Sequence, residues 1–208
     1  MTFSLKRLTL ATAAAALLGA ALSGCAPLLI GGAAGTALVV SDRRTPGILI
    51  EDQTIEVRAR NIIREQVGTR VRVDITSYNR QVLLTGEVPN AQDKEIVERQ
   101  VSRVDNVRAV VNELSVANTP SLWDRSSDTL ITGRVKAALI DVKVQVNAVN
   151  VTTERGVVYL MGRVTQAEAN RATEAARSIS GVQRVVRIFE ILSEEELRKL
   201  QPSLPVKL

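Results

Sequence analysis

An internal repeat constrains this 208-residue chain more than any other feature. Val82-Leu83-Leu84-Thr85-Gly86-Glu87-Val88 recurs as Val158-Tyr159-Leu160-Met161-Gly162-Arg163-Val164. The same shift of 76 places Val73-Asp74-Ile75-Thr76 on Val149-Asn150-Val151-Thr152, Asp52 on Asp128, and Ile55 on Ile131. Further on, Val107-Arg108-Ala109-Val110-Val111 meets Val182-Gln183-Arg184-Val185-Val186 at a shift of 75, so one residue is lost in between. Two units result, 52–116 and 128–192, joined by a linker, 117–127, and followed by a tail, 193–208. Each has about 65 residues, a size able to fold alone around a thin core.

The hydrophobic period switches within each unit. Ile55, Ala59, Ile62 and Ile63 have helical spacing, as do Ile131, Val135, Ala138 and Leu139, with Asp52 and Asp128 expected as N-caps. Val71, Val73 and Ile75 then alternate, and so do Val82, Leu84, Gly86 and Val88, which predicts two strands. A second helix opens at Asn90, or at Thr165 with Glu168 as a capping box, and turns Val97, Val101 and Val104, or Ala172, Ala176 and Ile179, inward. A last strand is expected over Val107–Leu114 and Val182–Ile191. The fold class is α+β: two tandem α-β-β-α-β units, each a small three-stranded mixed sheet packed on two helices. Gly86 and Gly162 stand inside strands, where glycine weakens the element unless something approaches closely, and both are read as structural.

This order, the V-x-L-x-G-x-V strand and the turns Asn106-Val107 and Gly181-Val182 resemble the BON domain family (bacterial OsmY and nodulation). The N-terminus adds to the resemblance. Lys6 and Arg7 precede an uncharged Ala/Leu-rich run, Leu8–Ala21, which is secretory signal architecture. Leu22-Ser23-Gly24-Cys25 is similar to a bacterial lipobox, which implies cleavage after residue 24 and a covalent diacylglycerol and N-acyl chain on Cys25. Ala26 rather than Asp after the cysteine implies outer-membrane sorting in a Gram-negative cell. Residues 25–51 are then a lipidated tether on the periplasmic face, its apolar part, Leu28–Val40, being shorter than the roughly 20 residues a helix needs to span. A lipobox followed by two such units looks like the dual-BON outer-membrane lipoproteins. That implies phospholipid binding, a role in envelope integrity and no catalytic activity.

Composition agrees with a non-catalytic reading. The chain has no histidine and one cysteine, so it cannot build Ser-His-Asp or Cys-His centres, a histidine or multi-cysteine zinc site, or an internal disulfide. No metal or cofactor is expected beyond the lipid on Cys25, and an exported chain does not meet nucleic acid.

Charge distinguishes the copies. Repeat 1 holds ten basic and ten acidic residues, repeat 2 nine and six. In the first helix of repeat 2, Leu130 lies beside the core stripe where repeat 1 has Thr54, with Arg134, Lys136 and Ala137 nearby. These four are the candidate phospholipid-binding residues: apolar groups enter the interface while cations reach anionic headgroups. Packing of Leu130 against the linker or repeat 1 is the competing reading. The outer face of the second strand carries Val157, Tyr159 and Met161 in repeat 2 but Leu83, Thr85 and Glu87 in repeat 1, which predicts inter-repeat packing. Trp123 in the linker either meets lipid or plugs the inter-repeat groove, and Ser193 with Glu196 caps a short last helix. Two functions stay open: a phospholipid-binding module, or an adaptor for envelope or division proteins whose membrane contact is the Cys25 anchor alone. Cys25→Ser should release the protein from membranes or leave an uncleaved precursor. Cell fractionation checks this, and wild-type processing and outer-membrane yield would mean that the lipobox reading is wrong or that the domains suffice as an anchor.

Overall fold

In a computed structural model of the protein, residues 42–117 and 122–200 are described, with backbone only at 122–124 and 146. The signal segment, Cys25, Leu28–Val40 and the Trp123 side chain lie outside the described residues.

The first repeat is built from α1 (Pro46–Val67), β1 (Arg72–Tyr78), β2 (Gln81–Val88), α2 (Ala91–Val101), β3 (Ala109–Asn112) and β4 (Ser115–Val116). The second comprises α3 (Leu122–Asp141), a 3-10 turn (Val146–Ala148), β5 (Val149–Glu154), β6 (Val157–Thr165), α4 (Gln166–Arg177) and β7 (Arg184–Leu192). The short α5 (Glu194–Leu200) follows. In each repeat the first two strands form an antiparallel hairpin, and the chain returns through a helix to add the last strand parallel to the second.

Two local expectations are corrected. Asp52 and Asp128 are not N-caps, because the first helices start earlier. Thr45 caps α1 by accepting from the Ile48 amide, with Pro46 in the first turn, where a missing N–H costs nothing. Within the stretch expected as linker, α3 already begins at Leu122. The two aspartates are buried and serve the hairpin instead. Asp52 accepts from Ser77 Oγ and the Asn79 and Arg80 amides at 2.7–2.8 Å. Asp128 accepts from the Arg155 and Gly156 amides at 2.7 and 2.9 Å. Both turns use two consecutive positive φ values, which a carboxylate gathering their amides holds in place. The second correction concerns the closing strand of repeat 1. It breaks around Glu113-Leu114, where Leu114 turns into the core, whereas β7 runs unbroken.

The helix caps match their motifs. Asn90 accepts from the Asp93 amide. Thr165 and Glu168 form a reciprocal capping box, and Ser193 and Glu196 exchange the same pair of bonds before α5. The core of repeat 1 joins Ile55, Ala59 and Ile63 to Val82, Leu84, Val97 and Val101; repeat 2 joins Ile131, Val135 and Leu139 to Val158, Leu160, Ala172 and Ala176.

The opposite sheet faces meet each other. Tyr78 and Leu83 pack with Tyr159, Met161 and Ile188 in a third apolar cluster. Around it, Arg72 and Arg155 both pair with buried Glu87, Arg72 also reaches Glu154, Arg184 pairs with Glu113, and Tyr78 donates to the Ala148 carbonyl. The layers therefore run helices, sheet, sheet, helices.

A Cβ added to Gly86 would lie 2.1 Å from the Arg72 carbonyl oxygen, and one on Gly162 would lie 2.2 Å from that of Ala148. Both obstacles are backbone, of β1 at Arg72 and of the 3-10 turn leading into β5 at Ala148, which cannot swing aside as a side-chain tip can. Gly162→Val should therefore cost about 3 kcal/mol or more. That is a drop of roughly 6–12 °C in Tm for the two packed repeats unfolding as one unit. Thermal unfolding followed by circular dichroism checks it, and an unchanged Tm would contradict the close approach.

Candidate functional site

The outward side of α3 carries the residues singled out above. Leu130 is 62% exposed, Arg134, Lys136 and Ala137 are exposed, and Ile140, one further turn along, is 61% exposed. Leu130, Ala137 and Ile140 are spaced by seven and three residues, so they form one stripe of the helix. Ile131, Val135 and Leu139 occupy the opposite, buried stripe. Leu130 thus does not pack against repeat 1 or the described part of the linker. Arg134 and Lys136 make no ion pair among the described residues.

Ile140 escaped the reading of the sequence, although the repeat itself contained the signal. The positions of repeat 1 equivalent to Leu130, Ala137 and Ile140 are Thr54, Asn61 and Arg64. Three polar residues on one copy stand where the other has three apolar residues. In repeat 1 the Thr54 hydroxyl is turned back onto the Ile50 carbonyl, 2.9 Å away.

A second constellation ties the segment before α1 to repeat 2. Arg43, 6% exposed, reaches both carboxylate oxygens of Glu168 at 2.8 and 2.7 Å and donates to the Arg163 carbonyl; Arg163 donates back to the Arg43 carbonyl. Burial pushes the Glu168 carboxyl up, but the bonds from Arg43 and from the Thr165 backbone outweigh it and hold the group below its ordinary 4.5. In repeat 1 the matching acid, Asp93, takes its bidentate arginine locally, from Arg70. Beside this clasp, Arg44 pairs with Asp42 and Asp52 and lies over the Tyr78 ring. Asp42, Arg44 and Lys136 line one groove, so the described chain begins next to α3. Burial pushes the Tyr78 hydroxyl up to about 12.

The BON domain model matches residues 51–118 and again 127–192. The chain belongs to the BON domain family. It is 40% identical over 183 residues to the outer membrane lipoprotein DolP of Haemophilus influenzae, covering 86% of this chain and 95% of that one. It is 30% identical over 151 residues to a 21 kDa hemolysin of Actinobacillus pleuropneumoniae, covering 71% and 78%. A likeness to CdsD, a structural protein of the type III secretion system of Chlamydia trachomatis, has a TM-score of 0.30 at 16% identity over 76% of this chain and 99% of that one. This protein is a dual-BON, lipid-anchored lipoprotein of the outer membrane. The family names indicate a non-enzymatic envelope protein. Among the described residues no group of three His, Cys, Asp or Glu side chains is placed to hold a metal, and no helix is long and apolar enough to cross a membrane.

A carboxylate held below its unfolded value contributes stability above pH 4.5 and loses it as the pH falls through its folded value. Arg43→Ala should lower stability at pH 7 by about 3 kcal/mol, since it leaves Glu168 buried without its partner. It should also make the acid decline below pH 4.5 shallower than in wild type. Urea unfolding at several pH values measures both; parallel pH profiles would mean that the clasp does not set the Glu168 titration.

Proposed function

We propose that the second BON domain binds anionic phospholipid through the outward stripe of α3, with the diacylglycerol and N-acyl chain on Cys25 as anchor. In this way the protein supports envelope integrity. The observation that carries this reading is the apolar stripe Leu130, Ala137 and Ile140, flanked by Arg134 and Lys136. Each side chain removed from water at the interface contributes in proportion to its apolar area, at about 25 cal/mol per Å². Each cation near anionic headgroups adds about 1 kcal/mol, less at high salt. Neither contribution is large alone, which suits a helix that needs only to orient a protein already tethered.

An adaptor role has its own support. Ile50 and Val57 are exposed on α1, in the other helix layer, which faces away from α3. Envelope or division proteins are the partners this reading calls for.

Vesicle binding separates the two. With a chain lacking residues 1–25, Leu130→Glu should bind phosphatidylglycerol vesicles more weakly while keeping the wild-type circular dichroism spectrum. Arg134→Ala with Lys136→Ala should lose at most about 2 kcal/mol, with a shallower salt dependence. Thr54→Glu, the matching change in repeat 1, should bind as wild type does. Equal binding by folded Leu130→Glu and wild type would end the lipid-helix reading and leave the adaptor.

A further inference from the structure

The C-terminal half of α1 and the edge strand β1 leave a groove of about 230 Å³ open between them in repeat 1. Its floor is apolar: Ile63, Val71, Val73 and Ile75. Its rim carries Arg60 and Arg64, one turn apart on α1, both exposed and neither in an ion pair among the described residues. Gly68, which ends the helix at φ 67°, has open space where a side chain would stand.

The duplication supplies an internal comparison. In repeat 2 the helix stops at Asp141, the chain turns back, and Val144, the equivalent of Gly68, is buried in the core. Val149 and Val151 are buried there, whereas Val73, the equivalent of Val149, is only partly covered. Ile140 stands where repeat 1 has Arg64. The place that repeat 2 fills with its own side chains is therefore left open in repeat 1 and edged with two cations.

We infer that this groove is a second ligand site, which takes a single-chain anionic amphiphile such as a fatty acid or lysophospholipid. The apolar floor receives the acyl chain and the two guanidiniums receive the carboxylate or phosphate. The size argues for one chain, since the volume lies below that of ordinary small-molecule pockets. A bare inorganic anion would gain nothing from the apolar floor. The tail thus enters and the charged head stays at the arginines, where planar guanidinium pairs well with carboxylate or phosphate. The site is on the opposite repeat from α3 and does not rest on the reading of that helix.

The test is hydrogen exchange on the full-length mature protein in phosphatidylcholine nanodiscs, with decanoate as probe. At ten times its half-saturating concentration, openings that empty the groove should be suppressed about elevenfold, slowing amide exchange in segment 60–75. Decanol, which has the same chain without the charge, should protect less. Arg60→Gln with Arg64→Gln should lose the effect and keep the wild-type exchange of repeat 2, while Leu130→Glu should retain it. No protection of folded wild type by either decanoate or dodecyl phosphate, undiminished protection in the double arginine variant, or its loss in Leu130→Glu would each overturn the proposal. Protection by dodecyl phosphate but not decanoate would assign the head group to phosphate and support it.

Discussion

The apolar contact between the two sheets sets everything else in this molecule. A BON sheet covered by helices on one face still has a second face, and in each repeat that face holds buried groups: Tyr78 and Leu83 on one side, Tyr159, Met161 and Ile188 on the other. Joined, they remove each other from water and force the helix layers outward in opposite directions. The rim of arginine–glutamate pairs fixes the register of that contact more than it adds to stability, since partly exposed ion pairs are worth little each. Glu87 is the exception. It is buried, and burial pulls its carboxyl up, but Arg72 and Arg155 bond it from both repeats and hold it low. Removing either arginine would weaken the compensation for a desolvated charge at the edge of the interface.

Opposed helix layers make the copies unequal. The two layers face opposite ways, so α1 and α3 can present different surfaces over interiors that stay alike. The substitutions follow that division. Inside, Ile55 and Ile131, Val82 and Val158, and Gly86 and Gly162 remain alike; outside, Thr54, Asn61 and Arg64 face Leu130, Ala137 and Ile140. The exchange of Arg64 for Ile140 changes two things at once: an apolar stripe is lengthened on one repeat and a cationic rim is kept on the other.

Period and repetition made the architecture legible. Alternation placed the hairpins, the 3.6-residue period placed the helices, and an offset of 76 made each copy a check on the other. The face of β6 carrying Tyr159 and Met161 was readable as packing because an apolar outer face has nowhere else to go. Misreading came where a residue's role depends on tertiary position. An aspartate just before an apolar period is the usual sign of an N-cap, but Asp52 and Asp128 act on a hairpin more than twenty residues away. The actual cap of α1, Thr45-Pro46, was in the sequence and gave a better signal than the aspartate did. Arg43 gave none: its partner Glu168 is 125 residues distant, and only the folded chain brings them together.

That long-range pair bears on orientation. Arg70 satisfies Asp93 from within repeat 1, but repeat 2 has Val146 at the corresponding position and must import its arginine from the segment before α1. Through Arg43 the start of the described chain is clasped to repeat 2, while Arg44 ties it to Asp52 and Tyr78 of the repeat that follows it directly in sequence. Asp42 consequently lines the same groove as Lys136. An anchor attached upstream of this point would pull on the side of the molecule where α3 lies, so the proposed lipid face would not have to search for the bilayer. The weak individual contributions of Leu130, Ala137, Ile140, Arg134 and Lys136 would then act at the high effective concentration that tethering gives. A helix that recruits a free protein only weakly would, on a clasped and anchored one, suffice to choose which face meets the membrane.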